Sequence, residues 1–223
     1  MKTFPTLKVL LVLVLIFLLL IPAGQQTAGA QVDHEFEHIL VDTTEDTVDA
    51  LADDWCADEA GNCSLRAAVQ CANLWPGEQT IELGEATYLL SLPGANEDAE
   101  ASGDLDLGDT LVITCAGPEL TVIDGGGIDR VLEVLPAAVV QVSGLALVNG
   151  QAPSTTGFSY GRDGGGILTH AALTLENAWV SGNQAGGASA STVEIGGGGG
   201  FFNDGGTLVL NQVEITGNET ANG

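Results

Sequence analysis

Positive charge is what this chain has least of. Only 5 of its 223 residues are Lys or Arg, against 30 Asp or Glu. Lys2 and Lys8 both sit near the N-terminus, so the rest of the chain has only Arg66, Arg130 and Arg162 as fixed positive groups. Such a chain cannot neutralise phosphates or uronic acids. That argues against nucleic acid, anionic membrane and acidic polysaccharides such as pectin as ligands, and leaves neutral glycans, cationic partners and divalent cations open. Histidine is almost as scarce, with 3 copies. The 4 cysteines have no histidine or further thiol beside them, which argues against a zinc site. Long apolar runs are also missing after residue 21, which argues against a membrane span in the mature chain.

The one long apolar run, residues 9–21, follows Lys2 and Lys8 and precedes the small residues Ala28-Gly29-Ala30. This is the pattern of a signal peptide, expected to span residues 1–30 and to be cleaved after Ala30, so the protein is expected to be secreted or held at the cell surface. The run is short for a membrane anchor and is broken by Pro22. Removing both lysines with it leaves a chain still more acidic than the −25 of the whole. An exported chain with four cysteines is expected to form disulfides. Cys56 and Cys63 close a short loop and form the natural first pair, which leaves Cys71 and Cys115 as the second; the other two connectivities stay open.

The C-terminal half is organised by a repeat. Residues 164–185 read GGGILTHAALTLENAWVSGNQA and residues 198–220 read GGGFFNDGGTLVLNQVEITGNET, with VVQVSGLALVNGQA at 139–152 as a worn copy of the second part. Aligning the copies stacks Val140 on Leu173 and Leu208, Val142 on Leu175 and Leu210, Leu145 on Ala178 and Val213, and Leu147 on Val180 and Ile215. The intervening positions, such as Gln141, Thr174 and Val209, or Ala146, Trp179 and Glu214, alternate with the period of two that a strand requires. Short strands broken by Gly, Asn and Asp cannot bury an apolar face alone and must stack on their neighbours. The expected fold is an all-β, right-handed parallel β-helix, with coils over residues 80–223. Triple glycines placed just before strands mark its corners.

Ahead of the coils, Ser64 is a helix N-cap, and Leu65, Ala68, Val69 and Ala72 share one face of a helix that should stop near Asn73, before Pro76-Gly77. Such a helix would cover the open end of the first coil. Its sequence, CSLRAAVQCAN, sits between a Cys-containing acidic loop and GEQTIELGEATYLLSL, and resembles the CSLREA domain of exported bacterial proteins that continue as right-handed parallel β-helices. The segments NEDAEASGDLDL, TVIDGGGIDRVLEV and VSGLAL are also similar to that family, and the Gly-rich units resemble its pectate-lyase-like and polymorphic outer-membrane-protein-type repeats. The resemblance implies an N-terminal segment over residues 31–79 and a structural or adhesive role at a bacterial surface. The departure is Ala67, where the signature carries the Glu of a capping box.

Residues 93–103 and 151–164 are expected to leave the stack as loops that carry function. The chain stops at Gly223 where another corner would begin, so a truncated C-terminus is expected. Trp179 and Phe202 on outward positions, with Phe158 and Tyr160 in the nearby loop, are the candidate ligand-binding residues, suited to a glycan or a protein surface. No organic cofactor is expected; calcium could be held by Asp104, Asp106 and Asp109. No catalytic residues are assigned. A glycoside hydrolase or polysaccharide lyase of the pectate-lyase-like superfold is the alternative. It would draw on Asp124, Asp129, Asp163 and Asp204, but three arginines scattered in sequence make a poor set for lyase chemistry. The HExxH match at His34–His38 runs directly into the strand-like Ile39-Leu40-Val41 with no third ligand downstream, and reads as chance.

Overall fold

The computed structural model describes residues 38–50, 56–153, 163–186 and 198–220. The chain divides into Met1–Asp33 and His34–Gly223, and every described residue belongs to the second unit. The 1–30 segment, His34, Phe158, Tyr160 and Arg162 lie outside the described residues.

In chain order the elements are β1 (His38–Leu40), α1 (Leu65–Leu74), β2 (Gln79–Leu83), β3 (Ala86–Leu89), β4 (Leu105–Leu107), β5 (Thr110–Cys115), β6 (Thr121–Asp124), β7 (Leu132–Val134), β8 (Val139–Val148), β9 (Ile167–Thr169), β10 (Ala172–Ser181), β11 (Gln184–Ala185), β12 (Phe201–Asn203), β13 (Leu208–Thr216) and β14 (Glu219–Thr220). The pairing is parallel, and each strand lies beside its counterpart one turn away. One side of the coil runs β1-β2-β5-β8-β10-β13 and another runs β4-β7-β9-β12, while β3 and β6 join the second half of β8. The described residues form a parallel β-solenoid of about four turns, with one short helix among them.

The repeat falls in the register read from sequence. Leu173 lies between Val140 and Leu208, Leu175 between Val142 and Leu210, and Val180 between Leu147 and Ile215. The columns continue below the repeat through Ile113 and Ile81, and a separate inner column forms from Leu105, Leu132 and Ile167. Outside β13 these side chains are buried, and each contributes roughly 1.5–3 kcal/mol of transfer free energy. In β13 the equivalent Leu210 and Ile215 are exposed, because β10 is its single neighbour among the described strands of that sheet.

Corners follow the same logic. At Gly165 a Cβ would fall 2.2 Å from the carbonyl oxygen of Gln184, and at the equivalent Gly199 2.3 Å from that of Glu219, so adjacent turns approach too closely there for any side chain. An asparagine ladder finishes the next corner. Asn183 Nδ2 donates to the Leu147 carbonyl at 3.1 Å, Asn218 Nδ2 donates to that of Val180 at 2.8 Å, and the Asn183 amide donates to Asn218 Oδ1 at 3.0 Å.

The helix forms as its sequence dictates: Ser64 Oγ accepts from the Ala67 amide at 3.0 Å, and the Trp75 amide closes the last turn on the Cys71 carbonyl. Ala67, at the position where a capping box would carry its glutamate, is fully buried.

The cysteine pairing corrects the expectation. Cys56 bonds to Cys71, with Cα atoms 5.6 Å apart, while Cys63 and Cys115 are free thiols. Asp58 accepts from the amides of Ala60 and Asn62 and curls residues 58–62 into a tight turn, and Cys63 is fastened to Asp42 through both its amide and its carbonyl. Cys115 instead continues the inward row of Leu111 and Ile113 on β5, with β2 between it and β1. Burial pushes both free thiols up to about 12, Cys63 with added repulsion from Asp42, Asp49 and Asp58. Alkylation of the native protein at pH 8 is therefore expected to be slow. After unreduced unfolding it should label Cys63 and Cys115 alone, with Cys56 and Cys71 recovered as one cross-linked peptide; a linked Cys71–Cys115 peptide would contradict this.

Candidate functional site

Strand β4 is the edge of its sheet, and α1 supplies the partners that a neighbouring strand would otherwise give. Arg66, Gln70 and Asn73 stand one above the other at i, i+4 and i+7 on one stripe of the helix. Arg66 donates to the carbonyls of Gly103 and Asp104 at 2.7 and 3.0 Å, and Gln70 to that of Glu100 at 2.9 Å. Asn73 donates to the Asp106 carbonyl at 2.7 Å and accepts from the Gly108 amide at 2.8 Å.

The fully buried guanidinium of Arg66 also meets Asp46 at 2.7 Å and Glu100 at 3.2 Å. Asp46 Oδ2 in turn accepts from the amides of Ser91 and Leu92 beyond β3. Burial alone would lower the Arg66 pKa, but the hydrogen bond that Arg66 donates to Asp46 and the charges of Glu100, Asp46 and Asp104 outweigh it and hold the pKa above the usual arginine value.

The acidic segment at residues 93–103, expected from its polarity to leave the stack, instead folds back over β4. Glu97 organises it by accepting from the amides of Ala99, Ala101 and Ser102. Glu100, held at a positive φ of 56°, turns its carboxylate inward, where Oε1 meets Arg66 and Oε2 accepts from the Asp106 amide. Beneath this segment Asp106 on β4 lies beside Glu133 on β7, with Asp104 within reach. Arg130 Nη1 approaches Glu133 at 3.2 Å, Asp129 at 3.5 Å and Asp104 at 3.7 Å, and Arg130 Nε donates to the Asp163 carbonyl. One turn on, His170 stands between Glu133 at 3.3 Å and Asp204 at 3.0 Å.

Burial raises the pKa of every member of this cluster that shifts. Glu100 rises against the pull of Arg66, and Asp104 rises with added repulsion from Asp129. Asp106, repelled further by Asp104, Glu100 and Glu133, is pushed up to about 10. Asp129 and Glu133 rise in spite of Arg130, and Glu133 also in spite of His170.

The expected ligands are thus partly regrouped. Asp104 and Asp106 come together with Glu133 in the place expected of Asp109. Asp109 turns away to accept from the Thr110 amide at 2.7 Å. Asp124 caps its glycine turn, accepting from Gly126 and Asn149. Trp179 faces outward on β10 between Ala146 and Glu214, 37% exposed, and Phe202 is half-buried beside Leu168. Sequence reading missed Arg66, Arg130, Glu100, Glu133 and His170. Extending the repeat upstream would have found Glu133, because LDL, LEV, ILT and FFN align as the strands β4, β7, β9 and β12.

Among the described residues no helix is long and apolar enough to cross a membrane. No protein-family model matches the chain, and no curated protein or solved structure matches it.

Two outcomes follow from this geometry. Arg66→Met leaves Asp46 and Glu100 buried without their counter-charge, so denaturant unfolding should show a loss of about 3–5 kcal/mol. With divalent cations chelated, the raised carboxyls make the folded state bind more protons than the unfolded one. Their stabilisation is therefore complete below about pH 4 and is lost as pH rises toward 10. The melting temperature should fall from pH 5 to pH 8, and fall less in Asp106→Asn; a rise over that interval would contradict the assignment.

Proposed function

We propose that this chain is an exported, non-catalytic β-solenoid that displays binding surfaces at a bacterial cell surface or in the secreted state. One observation carries the reading. Glu100, Asp104 and Asp106 lie closed off at residues 93–103 and β4, each no more than 2% exposed, with Arg66 on Glu100 and Arg130 on Asp104. Glycosidic cleavage needs an acid and a base open to substrate at a fixed separation, and this cluster offers neither. The resemblance of residues 63–73 to the CSLREA domain of exported bacterial β-helix proteins supports the same reading, as does the signal-peptide pattern of residues 1–30. Trp179, an indole standing on a rigid strand, is the residue best placed to stack on a neutral sugar ring or anchor a protein partner.

A second reading has one observation in its favour. Glu133, His170 and Asp204 form a carboxylate–imidazole–carboxylate row across three turns, with side chains 13–31% exposed. A carbohydrate-active enzyme would have to work from that row.

Incubation with insoluble neutral polysaccharides (cellulose, xylan and chitin) separates the two readings. Display predicts retention without release of reducing ends, and a loss of retention of about tenfold in Trp179→Ala, the scale of 1–2 kcal/mol for one stacking contact, at little change in melting temperature. Release of reducing ends that disappears in His170→Ala would replace display with hydrolysis.

A further inference from the structure

We propose that Asp104, Asp106 and Glu133 hold a divalent cation of the calcium class between β4 and β7, as a structural ion that ties the first two turns of the solenoid together. One oxygen from each carboxylate lies within 4.8 Å of the other two. Oxygens that share a calcium ion at about 2.3–2.6 Å are separated by no more than about 5 Å, so the three can close on one ion.

The burial of these oxygens points the same way. Asp106 is fully buried, and its Oδ1 has no hydrogen-bond donor among the described residues; Asp104 Oδ2 likewise has none, and Arg130 Nη1 comes no nearer to it than 3.7 Å. A bare carboxylate oxygen away from water is costly unless a cation meets it. The protein's own cations are otherwise engaged. Arg66 is turned to Asp46 and Glu100, and Arg130 is shared among Glu133, Asp129 and, at 3.7 Å, Asp104. Asp46, Glu100, Asp104, Asp106, Asp129 and Glu133 therefore face two guanidiniums, with His170 at the Glu133 end.

The elements around the cluster suit a structural ion. Asp106 and Glu133 are partners in the β4–β7 register, so one ion would bridge successive turns on the side where β4 has no second strand. Residues 93–103 cover it through Glu100. Oxygen ligands and the lack of thiols in the group select a hard cation over zinc or copper. The inference holds whether or not the solenoid binds a surface ligand.

The test uses the whole protein, stripped with EDTA and titrated with calcium chloride by calorimetry and by thermal unfolding. The wild type should bind one equivalent, and its melting temperature should rise by roughly 5–10 °C at a hundredfold excess over Kd. Asp106→Asn should abolish both responses while melting in EDTA at or above the wild-type temperature. Glu133→Gln, at a partly exposed position, should weaken binding at least tenfold. Asp109→Asn should respond like the wild type. The proposal is overturned if calcium produces neither heat nor a thermal shift in the wild type. It is equally overturned if Asp106→Asn and Glu133→Gln keep the full shift, which would assign the ion to the general acidity of the surface.

Discussion

An open strand edge is the constraint on which the rest of this molecule depends. Parallel turns satisfy one another's backbone, but β4 begins its sheet and would present unpaired amides and carbonyls beside an apolar interior. Each buried unsatisfied group costs about 1–3 kcal/mol, so a bare edge of this kind would offset much of what the aliphatic columns contribute. The stripe of Arg66, Gln70 and Asn73 resolves this, with side chains standing in for a strand's backbone. Using an arginine there imposes a further requirement, since a guanidinium out of water must be matched by carboxylates. Asp46 and Glu100 meet it, and they draw in the segment after β3 and the segment before β4. The network of charges around the first turns thus follows from the need to finish a sheet.

The solenoid itself was legible because its signal is redundant. Leu173, Leu175 and Val180 recur at matching positions two further times, alternate with outward residues, and lie between triple-glycine corners whose close approach excludes side chains. The helix was legible for a local reason: Ser64, the apolar face and the Pro76-Gly77 stop all act within a few residues. What sequence did not convey depends on contacts between distant segments. The Cys56–Cys71 bond depends on how residues 58–62 turn and on Asp42 holding Cys63, neither of which spacing reveals. Glu100 was hidden for a different reason. In a chain with 30 acids a carboxylate reads as solvated surface, and nothing local distinguishes the one that turns inward from its neighbours Glu97 and Asp98.

Both arginines among the described residues lie inside, and this shapes the outside. With the guanidiniums of the described residues turned inward, the described outer surface carries carboxylates with little to oppose them, so copies repel one another and anionic partners are kept away. That field helps to protect exposed strand edges from pairing between molecules. It also limits what recognition can rest on: a neutral or cationic ligand met by flat apolar surface such as Trp179, rather than salt bridges donated by this chain.

The buried cluster is subject to the opposite demand. Carboxylates that hold turns together must be kept from water and fixed in place, whereas carboxylates that cleave a glycoside must meet both water and substrate. Asp104 and Asp106 lie under a folded segment, against an arginine and beside a helix cap, and so satisfy the first demand at the expense of the second. Glu133 is the one member of the group that reaches outward, through His170 toward Asp204. Any chemistry on this side of the solenoid would have to begin at that residue, where the structural cluster meets solvent.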